Sequence, residues 1–277
     1  MPVMIGFHTT FALPFVAGQN LNDVTENLRR GEFSCNQKIS RHYKCCDSGK
    51  MYIKDTKKKI LRFKEMDYVI RYPKGFSENK KYPALFYIHG AGGRGRNIDI
   101  VYNHVFYNKT DKYNFNAISI APQCYEHSWF SIFEQLQEFV EFIINQKFID
   151  KERVYVMGSS MGGYATWQLA MARPEWFAGI VPICGGGIYA FAERLLHMGV
   201  WAFHGSEDTV VYPEESRKMV DSINKRGGNA KLTVYEGVAH NVWNPTLEND
   251  DMWDWLFTQK NHYMTTKNEY DDVDRFG

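Results

Sequence analysis

The chain has 277 residues, 33 basic and 32 acidic, with a net charge of +1, so no global field draws it to nucleic acid or an anionic surface and neither is expected as a partner. The length suits one large α/β domain with a substantial core or two small domains, and the strand and helix pattern below favours one. No apolar run reaches the ~18 to 20 residues needed to cross a bilayer, which argues against a membrane partner.

In chain order, residues 1–50 show no clean periodicity and are set apart as an extension of undefined role. The apolar stretch Met4 to Gly18 has no Lys or Arg before it and is interrupted by Thr9, Thr10 and Pro14, a poor signal peptide. Cys35, Cys45 and Cys46, with His42 nearby, lack the paired spacing of a zinc knuckle, so no metal is expected. The odd count of five cysteines, with Cys124 and Cys184 in apolar runs, favours a reduced, cytoplasmic compartment, with secretion as the alternative. From 51 to 262 the chain alternates strand-like and helix-like segments. Strands are expected at Tyr68 to Tyr72, Ala84 to Ile88, Ala117 to Ile120, Arg153 to Met157, Gly179 to Cys184, Val200 to His204 and Lys231 to Tyr235. Between them, Ser131 to Gln146 carries an apolar stripe with Ser131 as N-cap and Glu134 completing a capping box. Gly163 to Ala172 is small and helix-compatible until Pro174, and Pro213 to Lys225 is bounded by its proline and by Gly227-Gly228. Short apolar strands separated by helices imply a mainly parallel sheet covered on both faces, with its site at the carboxyl ends of the strands. Residues 263–277 read as a charged, aperiodic tail.

Gly158-Ser159-Ser160-Met161-Gly162 lies between one of these strands and one of these helices. A sharp strand-to-helix turn strains the central serine and exposes its Oγ, and glycine two residues to either side lets strand and helix approach closely. Ser160 fits this description. Ser159 does not, because its flanking positions would be Met157 and Met161. A serine hydroxyl needs a histidine base, and the histidine needs an acid to fix its tautomer. In the α/β-hydrolase order, which a turn of this kind resembles, the acid follows the nucleophile and the histidine follows the acid, leaving His197, His204, His240 and His262. His240, in the loop after the last strand, is the choice; His204 ends a strand and reads as a packing or turn residue. Asp208, in the loop after the preceding strand, is preferred to Glu207 as the acid. His89-Gly90-Ala91-Gly92-Gly93 follows an early strand and can offer the Ala91 amide to a developing oxyanion, with the Met161 amide as the second donor. A phosphate loop would need the Walker lysine, which is absent.

These segments together resemble the α/β-hydrolase-fold serine esterases, in the group with feruloyl and acetylxylan esterases, polyhydroxybutyrate depolymerase-like enzymes and prolyl-oligopeptidase-type hydrolases. The likeness runs from Met66 to Phe257. It rests on Tyr82-Pro83 leading to His89 through Gly93, on Ala121-Pro122-Gln123, on Gly158 to Gly163, on His204-Gly205 with Asp208, and on Gly237 with His240-Asn241 and Trp243. It implies Ser160, Asp208 and His240 as catalytic residues, Ala91 and Met161 as oxyanion donors, and no cofactor. Only Gly185 to Gly199 separate two strands where many such chains insert a cap, so no large cap and an open site are expected. Gln123, Trp129 and Trp243, with Tyr125, are candidates for binding substrate along aromatic walls. The resulting expectation is hydrolysis of small or polymer-attached esters, feruloyl, acetyl or other carbohydrate esters first. Two alternatives are a prolyl-oligopeptidase-type peptidase and a hydrolase-fold binding protein without catalysis. Oligomeric state stays open.

Overall fold

Strands whose residues are buried at nearly every position must be covered on both faces, and the computed structural model, which describes residues 58–263, shows such a sheet. Its strands are β1 (Lys59–Phe63), β2 (Met66–Arg71), β3 (Tyr82–Ile88), β4 (Ile118–Pro122), β5 (Ile149–Ser159), β6 (Gly179–Ile183), β7 (Gly199–Gly205) and β8 (Ala230–Tyr235). They lie in the order β1-β2-β4-β3-β5-β6-β7-β8. β2 runs antiparallel to both neighbours, whereas every pair from β4 to β8 is parallel. Each of the seven expected strands is present. β1 is an addition: Lys-Ile-Leu-Arg-Phe is an edge strand whose charged side chains break up its apolar signal.

The helices are α1 (Asp99–Tyr102), α2 (Val105–Lys112), α3 (Phe133–Ile144), α4 (Met161–Ala172), α5 (Glu214–Lys225), α6 (Trp243–Leu247) and α7 (Asp250–Thr258). Side-chain alternation along the strands divides the core in two. On one face Ala84, Phe86 and Ile88 belong with Phe139, Trp167 and Met219 of α3, α4 and α5. On the other, Leu85 and Tyr87 belong with Phe106, Leu247 and Trp253 of α2, α6 and α7. The helix expected from Ser131 starts later. The Ser128 hydroxyl accepts the Ser131 N–H and caps a 3-10 turn, Trp129–Ile132, that carries Trp129 into the core before α3 begins.

Between β6 and β7 the chain forms one 3-10 segment, Tyr189–Leu195, and no cap domain. Among the described residues no helix is long and apolar enough to cross a membrane. Cys124 and Cys184 are buried free thiols, as their apolar context suggests. The extension 1–50 with Cys35, Cys45 and Cys46, and the tail after Tyr263, lie outside the described residues.

Candidate active site

β5 is central in the sheet, and its carboxyl end turns directly into α4 through Ser160. The turn holds Ser160 at φ 56°, ψ −119°, a region L residues rarely occupy. Glycine is required beside it. A Cβ at Gly162 would lie 1.9 Å from the Ile88 carbonyl oxygen, and one at Gly158 would lie 2.5 Å from the Gly162 carbonyl. The Ser160 amide donates to Ile183 O at 2.9 Å, so β3 and β6 both grip the turn.

The turn points Ser160 Oγ at the loop after β8, where His240 Nε2 stands 2.8 Å away. On the other side of the ring, His240 Nδ1 is 2.7 Å from Asp208 Oδ2. Asp208 is buried on the loop after β7, and its Oδ1 accepts the amides of Val210 at 2.9 Å and Val211 at 3.0 Å. Burial pushes this carboxyl up, but the hydrogen bonds from His240, Val211 and Val210 together outweigh it and hold the pKa below its ordinary value. The two loops are stitched by backbone: Glu207 N donates to Val238 O at 3.0 Å, and a Cβ at Gly205 would lie 2.1 Å from that same oxygen. Ser160, Asp208 and His240 are thus one hydrogen-bonded chain.

Ser159 faces the other way. Its Oγ lies 3.0 Å from Tyr87 Oη beneath the turn, which separates the two adjacent serines by environment as well as by glycine spacing. Tyr87 Oη also lies 3.4 Å from His104 Nε2. His104 caps α2, its Nδ1 accepting the Phe106 amide at 3.2 Å, so the neutral ring carries its proton on Nε2. Burial lowers its pKa to about 4. Tyr87, Ser159 and His104 form a polar floor beneath a cleft of about 410 Å³ lined also by Ser160 and His240, with Ile100, Val101, Val210 and Trp243 on its walls. Neither Tyr87 nor His104 stands out in the chain: the tyrosine reads as one residue of a buried strand, and the histidine precedes an ordinary short helix.

Ala91 opens a 3-10 turn, Ala91–Gly93, and Met161 is the first residue of α4. The first amides of a helix have no acceptor within it, so both N–H groups are of the kind that can receive an anion. Of the residues expected to bind substrate, Trp243 lines the cleft, its ring centroid 6.1 Å from that of His240. Gln123 and Trp129 do not reach it, a correction with a clear cause. Gln123 is buried and its Nε2 donates to the carbonyls of Gly93, at 3.0 Å, and Asn97, at 2.9 Å. Trp129 is buried against His89, and its Nε1 donates to His89 O at 2.9 Å. His89 is itself locked: Nε2 accepts the Cys124 amide at 3.0 Å and Nδ1–H donates to Gly90 O at 2.6 Å, while burial lowers its pKa to about 4. Both side chains therefore brace the glycine loop from behind. Trp129→Phe, which keeps an aromatic ring but removes the donor, is expected to lower kcat about tenfold, the scale of one hydrogen bond. Relative rates on acetyl and aromatic acyl esters should be unchanged. A shift in that ratio would place the indole in the cleft instead.

Cys184 Sγ lies with atoms of Asp208 and His240 within 4.8 Å of one another, the one group of metal-ligand type among the described residues. The close contact between His240 Nδ1 and Asp208 Oδ2 already engages two of its three members.

Residues 125–187, spanning the serine turn, match the prolyl oligopeptidase family. A crystal structure of a thermostable esterase superposes with a TM-score of 0.69 at 31% identity, covering 74% of this chain and 63% of that one. The chain has the α/β-hydrolase fold. A solved ferulic acid esterase shares this α/β-hydrolase architecture at 14% identity, with a TM-score of 0.57 over 70% of this chain and 92% of that one. In sequence, the probable feruloyl esterase C of Aspergillus oryzae is 25% identical over 163 residues, 55% of this chain and 58% of the relative. The inactive dipeptidyl peptidase 10 of Mus musculus is 24% identical over 131 residues, 37% of this chain and 16% of the relative. The α/β-hydrolase chain thus spans less than two thirds of the curated relatives it matches, and its likeness is to the feruloyl-esterase and prolyl-oligopeptidase group of this fold.

Proposed function

We propose that this chain is a serine carboxylic-ester hydrolase working through an acyl-enzyme. The observation that carries the proposal is the chain of contacts from Ser160 Oγ through both nitrogens of His240 to Asp208, at 2.8 and 2.7 Å, opening on a cleft. Ser160 Oγ attacks the acyl carbon as its proton passes to His240 Nε2. The carbonyl electron pair moves onto oxygen, where the Ala91 and Met161 amides receive the negative charge. The tetrahedral intermediate collapses, the alkoxide leaves with the proton from His240, and Ser160 holds the acyl group. Water, deprotonated by the same nitrogen, then repeats the sequence and releases the acid. Asp208 stays ionised throughout, keeping the proton on Nδ1 and stabilising the imidazolium. Asp208→Asn is therefore expected to cost about 10²- to 10⁴-fold in kcat/KM, because a neutral amide does neither.

Feruloyl and acetyl groups attached to carbohydrate are the proposed substrates. The apolar walls of the cleft suit a flat acyl group, the absence of a cap among the described residues suits a bulky alcohol, and relatives named as feruloyl esterases support the choice. A hydrolysis screen of methyl ferulate, acetylated xylan and short p-nitrophenyl esters tests it, with labelling of Ser160 by an organophosphonate as the check on the nucleophile. Absence of turnover on every ester, or labelling elsewhere, would refute the reading. The prolyl oligopeptidase match over residues 125–187 favours one alternative, cleavage of peptide amides. Faster turnover of a peptide panel than of the esters would establish it.

A further inference from the structure

His204, at the end of β7, is fully buried and touches the acid of the proposed triad. Its Nε2 lies 2.8 Å from the carbonyl oxygen of Val211 and 3.3 Å from Asp208 Oδ2. A carbonyl only accepts, so this nitrogen carries a proton, which is bonded to Val211 O with the Asp208 carboxylate beside it. Its Nδ1 lies 2.8 Å from Ser216 Oγ of α5, which in turn lies 2.9 Å from Gly185 O. The hydroxyl has one proton for two neighbours. When the neutral ring's Nδ1 receives it, the ring is held from both ends, with Nε2–H directed at Val211 O beside Asp208. Oδ2 of Asp208 is therefore hydrogen-bonded to His240 at 2.7 Å and has His204 Nε2 beside it at 3.3 Å, while Oδ1 is filled by two amides.

We infer that His204 is a positioning residue for the reaction proposed above: its N–H, held beside Asp208, stabilises the carboxylate and moderates the carboxylate's pull on the His240 proton. The reasoning is electrostatic. A carboxylate with fewer donors is a stronger acceptor, and it then favours the imidazolium form of its remaining partner. The charged and titratable groups facing His204 are Asp208 on the adjoining loop and, beyond it, His240. From α5 the Ser216 hydroxyl meets its ring, and the charge of Asp208 raises the pKa of Cys184 and Tyr164 around the site.

Removing the donor should move the acid limb of the kcat/KM profile to higher pH, since His240 would hold its proton longer. His204→Phe is expected to shift that limb up by about half a pH unit or more, a modest change in local charge by the scale of such shifts. His204→Gln restores an N–H near the same place and should bring the limb most of the way back. Ser216→Ala, which frees one end of the ring, should shift it in the same direction by less. The low-field proton resonance of the His240–Asp208 hydrogen bond should move in His204→Phe and return toward the wild-type position in His204→Gln. A purely structural histidine predicts lost folded protein with an unchanged limb and resonance. Profiles and resonances of folded variants that superpose on the wild type would overturn the assignment; if His204→Phe does not fold, an unmoved limb and resonance in Ser216→Ala would do so. The resonance needs no substrate, so it still tests His204 if the wild type hydrolyses no ester.

Discussion

Ser160→Ala should remove about 10⁶-fold of kcat on any ester the wild type turns over, the scale seen when a triad nucleophile is deleted. The substitution removes one oxygen atom from a half-exposed position and leaves the turn's glycines and the Asp208–His240 pair in place. Binding of the intact ester should persist, because the cleft walls Ile100, Val101, Val210 and Trp243 are untouched. Single-turnover kinetics with a p-nitrophenyl ester reads the result directly: no acyl-enzyme burst, and residual turnover only at the level that amides of the glycine loop and α4 supply. A variant with a tenth of wild-type activity would mean that another group attacks. Ser159 is the nearest hydroxyl in sequence, but it is engaged with Tyr87 at 3.0 Å, so Ser159→Ala serves as the paired measurement and should leave the burst in place.

Gly162→Ala is expected to cost the fold itself. The added methyl would sit 1.9 Å from Ile88 O, 2.6 Å from Ile88 C and 2.7 Å from His89 O. All three are backbone atoms at the end of a central strand, so no side chain can rotate away. The strand and helix must separate, at a cost of about 4 kcal/mol or more, the range reserved for disrupted core backbone. For a domain of this size that lowers Tm by roughly 10 °C or more. Thermal melting with soluble yield measures it. Gly92→Ala is the natural comparison, because a Cβ there meets nothing within 4 Å. It should melt within a degree or two of the wild type. Equal melting of the two variants would show that the close approach at Gly162 is not what holds the turn.

Much of this arrangement could be read from the chain because it depends on local chemistry. Ser160 is chosen by flanking glycines, and those glycines exist for the backbone contacts just described. Asp208 and His240 are legible because parallel strands deliver their following loops to one edge, so chain order becomes spatial proximity. The direction in which a side chain faces is different. Gln123 and Trp129 follow β4 in a loop at the correct edge, yet both turn inward to hold carbonyls of the glycine loop. Nothing in the residue types distinguishes an indole that lines a cleft from one that braces the glycine loop from behind. His204 illustrates the same limit in reverse. It reads as a packing residue at a strand end, and only the fold brings Val211, Ser216 and Asp208 around its ring. The shifted start of α3 has a related cause, since the buried Trp129 lies in the turn that Ser128 caps.

The glycine contacts at the serine turn and between the loops after β7 and β8 have a consequence for how activity is lost. The nucleophile is held by main chain of β3 and β6, and the acid and base loops by main chain of one another. Among the described residues, main-chain contacts tie the reacting groups directly to the sheet. Catalytic competence and global order should then vanish as a single cooperative event on heating, with no temperature interval in which the protein is folded but inert.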